Sequence, residues 1–93
     1  MEDEKILELY RVRSEKAIEE TAKKYGAYCT TIAANILSSP EDREECVSDT
    51  YLRAWNAIPP ERPENLRMFL ARITRNLAIN RHKAMSAKNA MGK

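Results

Sequence analysis

Two proline-containing breaks constrain how this 93-residue chain can fold. In the first, SSPED at residues 38–42, Ser39 suits a helix N-cap, Pro40 suits the first helical position, and the acids suit the positive end of the helix dipole. The second break begins at Pro59 and should end that helix near Ala57. The chain has two glycines in all and is rich in Ala, Glu, Lys, Arg and Leu. These features predict an all-α fold, a compact three-to-four-helix bundle around one modest core.

Apolar residues at helical spacing predict the remaining helices. Residues 3–12 form a short amphipathic segment, and Ser14 is a candidate N-cap for a second helix over residues 15–37. Gly26 could bend or split this second helix, because glycine costs about 1 kcal/mol relative to alanine in a helix interior. The last helix should run from residue 63 or 64 to Lys83. The positions predicted to face the core in the last two helices are Val47, Thr50, Tyr51, Ala54, Ile58, Leu66, Phe69, Leu70, Ile73 and Leu77.

Charge is segregated along the chain. Residues 1–64 hold 14 acidic and 9 basic residues, a balance of −5, whereas residues 65–93 hold 7 basic and no acidic residues, a balance of +7. The overall charge of +2 would not by itself indicate nucleic acid, but this segregation does. The basic end suits a polyanion, and the acidic end suits a basic or mixed partner.

Several function classes lack support in the sequence. No apolar run approaches the length of a membrane span, and the acidic N-terminus is unlike a signal peptide, so no membrane partner is predicted. Cys29, Cys46 and the one histidine lack the spacing of a zinc site, and the cysteines are expected to be buried or half-buried in a reducing cytosol. Neither a Ser/His/acid set nor a glycine-rich phosphate loop is present. Catalysis, metal and cofactors are therefore not predicted.

The third helix carries an acidic ridge. At 100° per residue, Asp42, Glu45 and Asp49 fall within about 60° of one another, and Leu52 lies beside them. An acidic ridge flanked by an apolar side chain could dock a basic helix. The alternative is a solvated face, with Leu52 as a second core contact.

The last helix has a basic outer face opposite its apolar stripe. Arginine guanidinium groups match phosphate geometry and stack on bases, and the amide of Asn76, at the edge between the faces, can read a base edge. A solvated charged face is the alternative, although six basic residues without an acid over residues 67–83 favour nucleic acid. Those six are Arg67, Arg72, Arg75, Arg81, His82 and Lys83.

Two segments resemble region 2 of bacterial RNA polymerase sigma factors, most closely the extracytoplasmic-function (ECF) group. They are EDREECVSDTYLRAW at residues 41–55 and FLARITRNLAINR at residues 69–81, a specific pattern when both occur at this separation. Weaker similarity extends over most of residues 14–83. The resemblance implies a sigma region 2-like domain over residues 1–83, a cytoplasmic monomer that confers promoter specificity and catalyses nothing.

The resemblance also implies partners. In this family the first segment binds the clamp helices of the polymerase β′ subunit, and the second, with the loop before it, opens the −10 promoter element and holds a flipped base of the non-template strand. Asn76 is then the candidate for the base pocket, together with the loop at residues 58–65, and an anti-sigma factor is left open as a further partner. The implied polymerase contacts are Asp42, Glu45, Ser48, Asp49, Leu52 and Arg53. The implied DNA contacts are Arg53, Asn65, Arg72, Arg75, Asn76, Ile79, Arg81, His82 and Lys83.

The chain departs from the family pattern in several places. Ser48 stands where many members carry glutamine, and His82 stands where an aromatic or another basic residue is common. Family members usually continue into a helix-turn-helix domain that reads the −35 element, whereas residues 84–93 are expected to be the disordered start of an interdomain linker. Two alternatives remain: a helical interaction module, such as a sigma-like decoy or an anti-sigma-binding domain without a DNA role, and a helix-turn-helix repressor that reads duplex DNA.

Overall fold

Four helices make up the computed structural model, which describes the backbone of residues 1–91 and the side chains of residues 1–84. They are α1 (Asp3–Arg11), α2 (Lys16–Ala34), α3 (Pro40–Ala57) and α4 (Leu66–Met91). Helices α2, α3 and α4 each pack against the other two, and α1 packs on α2. The described residues contain no strand, so the predicted all-α bundle is confirmed.

The N-terminal end of α3 follows the sequence prediction, and that of α2 follows it in part. Ser39 Oγ accepts a hydrogen bond from the Asp42 backbone N–H at 3.4 Å, Pro40 is the first residue of α3, and the helix ends at Ala57. In α2 the N-cap position is Glu15, which makes no side-chain cap hydrogen bond, so the predicted cap Ser14 lies one residue earlier; its Oγ accepts from the Lys16 N–H at 3.3 Å. Hydroxyl caps of this kind satisfy backbone donors that a helix leaves free.

Helix α2 is continuous through Gly26, although it ends at Ala34 rather than near Leu37. A Cβ atom built on Gly26 would lie 3.2 Å from the Tyr51 hydroxyl of α3. The missing side chain therefore lets Tyr51 approach α2 closely, and Gly26 serves helix packing rather than a bend.

Helix α4 begins later and ends later than predicted. Its first residue is Leu66, and Asn65 Oδ1 accepts from the Met68 N–H at 3.0 Å, as an N-cap does. The helix continues past the predicted end at Lys83 to Met91, because residues 84–91 contain neither glycine nor proline. The expected disorder of residues 84–93 stays a prediction, and residues 92 and 93 lie outside the described part of the chain. The interpretation of this stretch as an interdomain linker stays a prediction.

The α3–α4 contact is formed by smaller residues than predicted. Ile73 and Leu77 are only half-buried, whereas Thr74 and Ala78 of α4 are fully buried. The hydroxyls of Thr50 and Thr74 lie 3.0 Å apart, and each also bonds to the carbonyl oxygen four residues earlier in its own helix. Short side chains with satisfied hydroxyls let the two helices approach each other closely. The buried core positions that were predicted correctly are Val47, Thr50, Ala54, Ile58, Leu66 and Leu70, while Tyr51 and Phe69 are half-buried.

Candidate nucleic-acid interface

A cleft of about 350 Å³ lies between α3, the loop at residues 58–65 and α4, and we call it the α3–α4 cleft. Three of the sequence-predicted DNA residues line it: Arg53 from α3, and Arg72 and Asn76 from α4. All three are exposed, so their polar groups are available to a ligand. The remaining lining residues are Ala57, Glu61, Phe69 and Ile73. Half-buried apolar side chains beneath polar groups suit a small planar ligand.

Glu61 is a cleft residue that the sequence analysis did not single out. It lies in the loop, is exposed, and its backbone N–H donates to the Ala57 carbonyl at 2.8 Å. Glu61 also lines a neighbouring cavity at the beginning of α4, which shares Phe69 and Arg72 with the α3–α4 cleft. The resemblance supplied only the loop as a range, so no signal in the sequence distinguished Glu61 from its neighbours.

A second groove, of about 610 Å³, lies on the other flank of α4, against α2. Arg75 and Ile79, both predicted DNA contacts, line it together with Arg72 and Asn76. Arg72 and Asn76 therefore stand on a ridge between two cavities. The groove was not predicted from the sequence, because its α2 wall, which includes Tyr28, carries no charge.

Arg81 joins the two predicted surfaces to each other. Its Nη2 donates to Glu45 Oε2 at 3.1 Å, and its Nε lies 3.7 Å from Asp42 Oδ1. One predicted DNA contact is thus paired with two predicted polymerase contacts. The next residues, His82 and Lys83, are exposed.

The rest of the acidic ridge faces solvent. Ser48, Asp49 and Arg53 are exposed, and the Leu52 side chain has a relative exposure of 56%. The alternative in which Leu52 is a second core contact is therefore wrong. Asn65, predicted as a DNA contact, is exposed but uses its side-chain oxygen to cap α4.

The two cysteines have the environment of packing residues. Both are free and buried, as predicted. Burial raises the pKa of the Cys29 thiol and that of the Cys46 thiol, so both stay protonated near neutral pH and are poor nucleophiles. No helix within the described residues is long and apolar enough to span a membrane. No group of His, Cys, Asp or Glu among the described side chains is arranged to hold a metal ion.

Residues 21–87 match the family model named Sigma-70 region 2. The matched range contains every residue predicted to contact polymerase or DNA, and it leaves out α1. The chain has no significant match among the curated proteins, and none among the solved structures. Because the family match covers well over half of the sequence and includes α3 and most of α4, the chain belongs to the sigma-70 region 2 family.

Proposed function

We propose that this domain acts in transcription initiation by docking on the polymerase through α3 and by holding an unpaired −10 base in the α3–α4 cleft. Region 2 of sigma-70 proteins is a non-enzymatic transcription factor domain that binds core RNA polymerase and recognises the −10 element. The finer assignments, to the β′ clamp helices and the non-template strand, are our proposal. The observation that carries it is the convergence of Arg53, Arg72 and Asn76 on one cleft from two helices.

The cleft offers the chemistry that an extruded base needs. Extruding a base costs a few kcal/mol, and stacking on a side chain returns about 1–3 kcal/mol per base. Phe69 and Ile73 supply an apolar wall, and the Asn76 amide supplies one donor pair and one acceptor for the base edge. The guanidinium groups of Arg53 and Arg72 can bind the flanking phosphates.

Glu61 gives the cleft a preference among bases. A carboxylate accepts hydrogen bonds and cannot donate them, so beside an unpaired base it favours the exocyclic amino group of cytosine, adenine or guanine over thymine, which has no amino group. We therefore propose that the base held beside Glu61 and Asn76 carries an exocyclic amino group.

The polymerase-binding surface is proposed to be the exposed part of the acidic ridge. Ser48, Asp49 and Leu52 lie on one exposed face of α3, and an apolar side chain beside a carboxylate is suited to a helix that carries both basic and apolar groups. The ECF subtype, a cytoplasmic location, a monomeric state and an anti-sigma partner belong to the same proposal.

The test compares Asn76→Ala with Asn80→Ala in the complex with core polymerase. Asn80 is an exposed asparagine of α4 that lines neither cavity, so it controls for the loss of an amide from this helix. Affinity is measured for single strands that carry each base, or an abasic site, at every −10 position in turn. Asn76→Ala should relax the preference at one position, and Asn80→Ala should leave it unchanged.

Three outcomes would contradict the proposal. A uniform loss across all sequences would make Asn76 a backbone contact, and equal binding of duplex and single strand would favour the duplex-reading repressor. Contacts with three to five phosphates predict a log–log salt slope of about −2 to −4 on single strands. A flat slope would leave only the protein-interaction module.

A further inference from the structure

We propose that Arg13, in the connection between α1 and α2, is a positioning residue that fixes the loop of the α3–α4 cleft and thereby its selectivity for a base. This inference rests on the proposed function of the cleft. Arg13 lies outside the residues that match the family, and it does not line the cleft itself.

Arg13 satisfies two carbonyl groups at the end of α3. Its Nη1 donates to the carbonyl oxygens of Trp55 and Ile58, both at 2.8 Å. In a continuing helix the Trp55 carbonyl would accept from the residue four positions later, but that residue is Pro59, which has no N–H. The Arg13 guanidinium replaces the missing donor and also places a positive charge at the negative end of the helix dipole.

The same guanidinium lies over the Trp55 ring at the end of α3. Its central carbon is 3.8 Å from the centroid of the Trp55 ring, and the Tyr10 ring of α1 lies 6.3 Å from that ring. Trp55 therefore has two residues of the N-terminal segment as neighbours. A lysine ammonium could reach one of the carbonyls but could not lie flat on the indole.

The backbone of Arg13 adopts a conformation that favours glycine. Its φ is 59°, and it follows α1 at the position where a helix ends with a left-handed residue. The Arg13 N–H donates to the Tyr10 carbonyl at 3.0 Å, and the Ser14 N–H donates to the Leu9 carbonyl at 2.8 Å, as in a Schellman motif. A non-glycine residue here costs free energy, which the long-range contacts of its side chain offset.

The contacts of Arg13 reach the cleft through the loop. The two carbonyl groups that it binds flank Ala57, which lines the cleft and accepts the Glu61 N–H at 2.8 Å. Ile58 is fully buried, so the loop is fixed on one side by the core and on the other by Arg13. Loss of the Arg13 side chain should therefore let Glu61 shift relative to Asn76 on the opposite wall.

The main variant is Arg13→Gly. Glycine adopts a positive φ without steric cost, so this substitution removes only the side-chain contacts. Arg11→Ala, which removes an exposed arginine two positions earlier, at the end of α1, is the matched control. The readout is the ratio of affinities for the preferred base and for an abasic site at the cleft position, measured on core polymerase. Wild type and Arg11→Ala should give the same ratio. Arg13→Gly should lower this affinity ratio about tenfold, which corresponds to the free energy of about one hydrogen bond to a charged group.

A second readout, the fluorescence of Trp55, reports directly on the C-terminal end of α3. Trp55 is the one tryptophan of the chain, so quenching of its fluorescence by a neutral quencher should increase in Arg13→Gly. Arg13→Lys keeps the charge and the length, and it should preserve the fold while recovering part of the base discrimination.

Unchanged base discrimination in Arg13→Gly and Arg13→Lys, with wild type discriminating, would overturn this inference alone. If Arg13→Gly does not fold, Arg13→Lys decides: a ratio equal to that of wild type overturns the inference, and an intermediate ratio supports it. A wild-type protein that does not distinguish a base from an abasic site would overturn the proposed function as well.

Discussion

Removing the charge of Glu45 should strengthen the binding of single-stranded DNA by the free domain. Arg81, one of the proposed phosphate contacts, is paired with Glu45 at 3.1 Å and lies near Asp42 at 3.7 Å. While it faces these carboxylates, its guanidinium group is less available to a phosphate. Glu45→Gln keeps the size of the side chain and removes the stronger of the two partners.

The geometry limits the size of the effect. The side chain of Arg81 is 28% exposed and that of Glu45 is 65% exposed, so solvent screens the pair strongly. Exposed pairs of this kind contribute about 0.2–1 kcal/mol, which corresponds to a gain in DNA affinity of at most about fivefold. The remaining contact with Asp42 should keep the single variant below that limit, and adding Asp42→Asn should bring the gain closer to it.

The assay is anisotropy of a labelled single strand over a series of salt concentrations. One additional phosphate contact should steepen the log–log salt slope by about 0.7. Glu44→Gln is the control, because it removes the same charge from an exposed position of α3 that has no ion pair among the described side chains. An equal gain in both variants would refute the reasoning, since long-range repulsion alone would then account for it. A gain that persists in an Arg81→Ala background would refute it as well.

Three further predictions concern other parts of the domain. Asp49→Arg should abolish binding to the β′ clamp helices in a pull-down and leave the midpoint of thermal unfolding unchanged, because Asp49 is exposed. Retained binding would contradict the assignment of the acidic ridge as the polymerase-binding surface. Thr21→Val should lower the unfolding free energy in urea by about 1–3 kcal/mol, because the buried Tyr10 hydroxyl loses its partner at 2.7 Å. Tyr10→Phe should cost less, about 1 kcal/mol, since the Thr21 hydroxyl also bonds to a backbone carbonyl; the reverse order would be inconsistent with this network. Burial and the hydrogen bond to Asp3 raise the pKa of Tyr25 from 10.0 to about 12. The protonated Tyr25 hydroxyl therefore contributes fully to stability below pH 10, and this contribution is lost as the pH rises through about 12. Urea unfolding of Tyr25→Phe should show a smaller alkaline loss than wild type, since burial also raises the pKa of Tyr10 and that of Tyr51, and an identical pH profile would rule out the linkage.

The features predicted best from the sequence are those that depend on residues adjacent along the chain. The beginning of α3 follows from Ser39 and Pro40, and its end follows from the prolines after Ala57. Gly26 was misjudged because helix propensity describes an isolated helix, whereas the close approach of the Tyr51 hydroxyl favours a missing side chain. The burial of Thr74 was missed for a similar reason, since hydropathy does not register a hydroxyl that is satisfied inside its own helix.

In the candidate site too, contacts within one helix could be predicted from the sequence, whereas contacts between elements could not. Helical periodicity predicted which residues share a face, so Arg72 and Asn76 could be placed together on α4 from the sequence. It could not predict that Glu61 would join them, or that Arg81 would pair with Glu45 thirty-six positions earlier. Such contacts are fixed by the packing of one element on another, and no local pattern encodes them.

In the proposed mechanism, different residues provide affinity for DNA and selectivity between bases. The seven positive charges after residue 64 attract any nucleic acid, but one of them, Arg81, is already engaged by carboxylates of α3. Phosphate contacts release counterions and weaken with salt, whereas the hydrogen bonds that Asn76 and Glu61 would form with a base edge release none. Discrimination between bases should then stay nearly constant over a salt range in which the overall affinity falls steeply. The acidic Glu61 slightly weakens attraction to DNA, so in the proposed mechanism its position in the cleft exchanges some affinity for selectivity between bases.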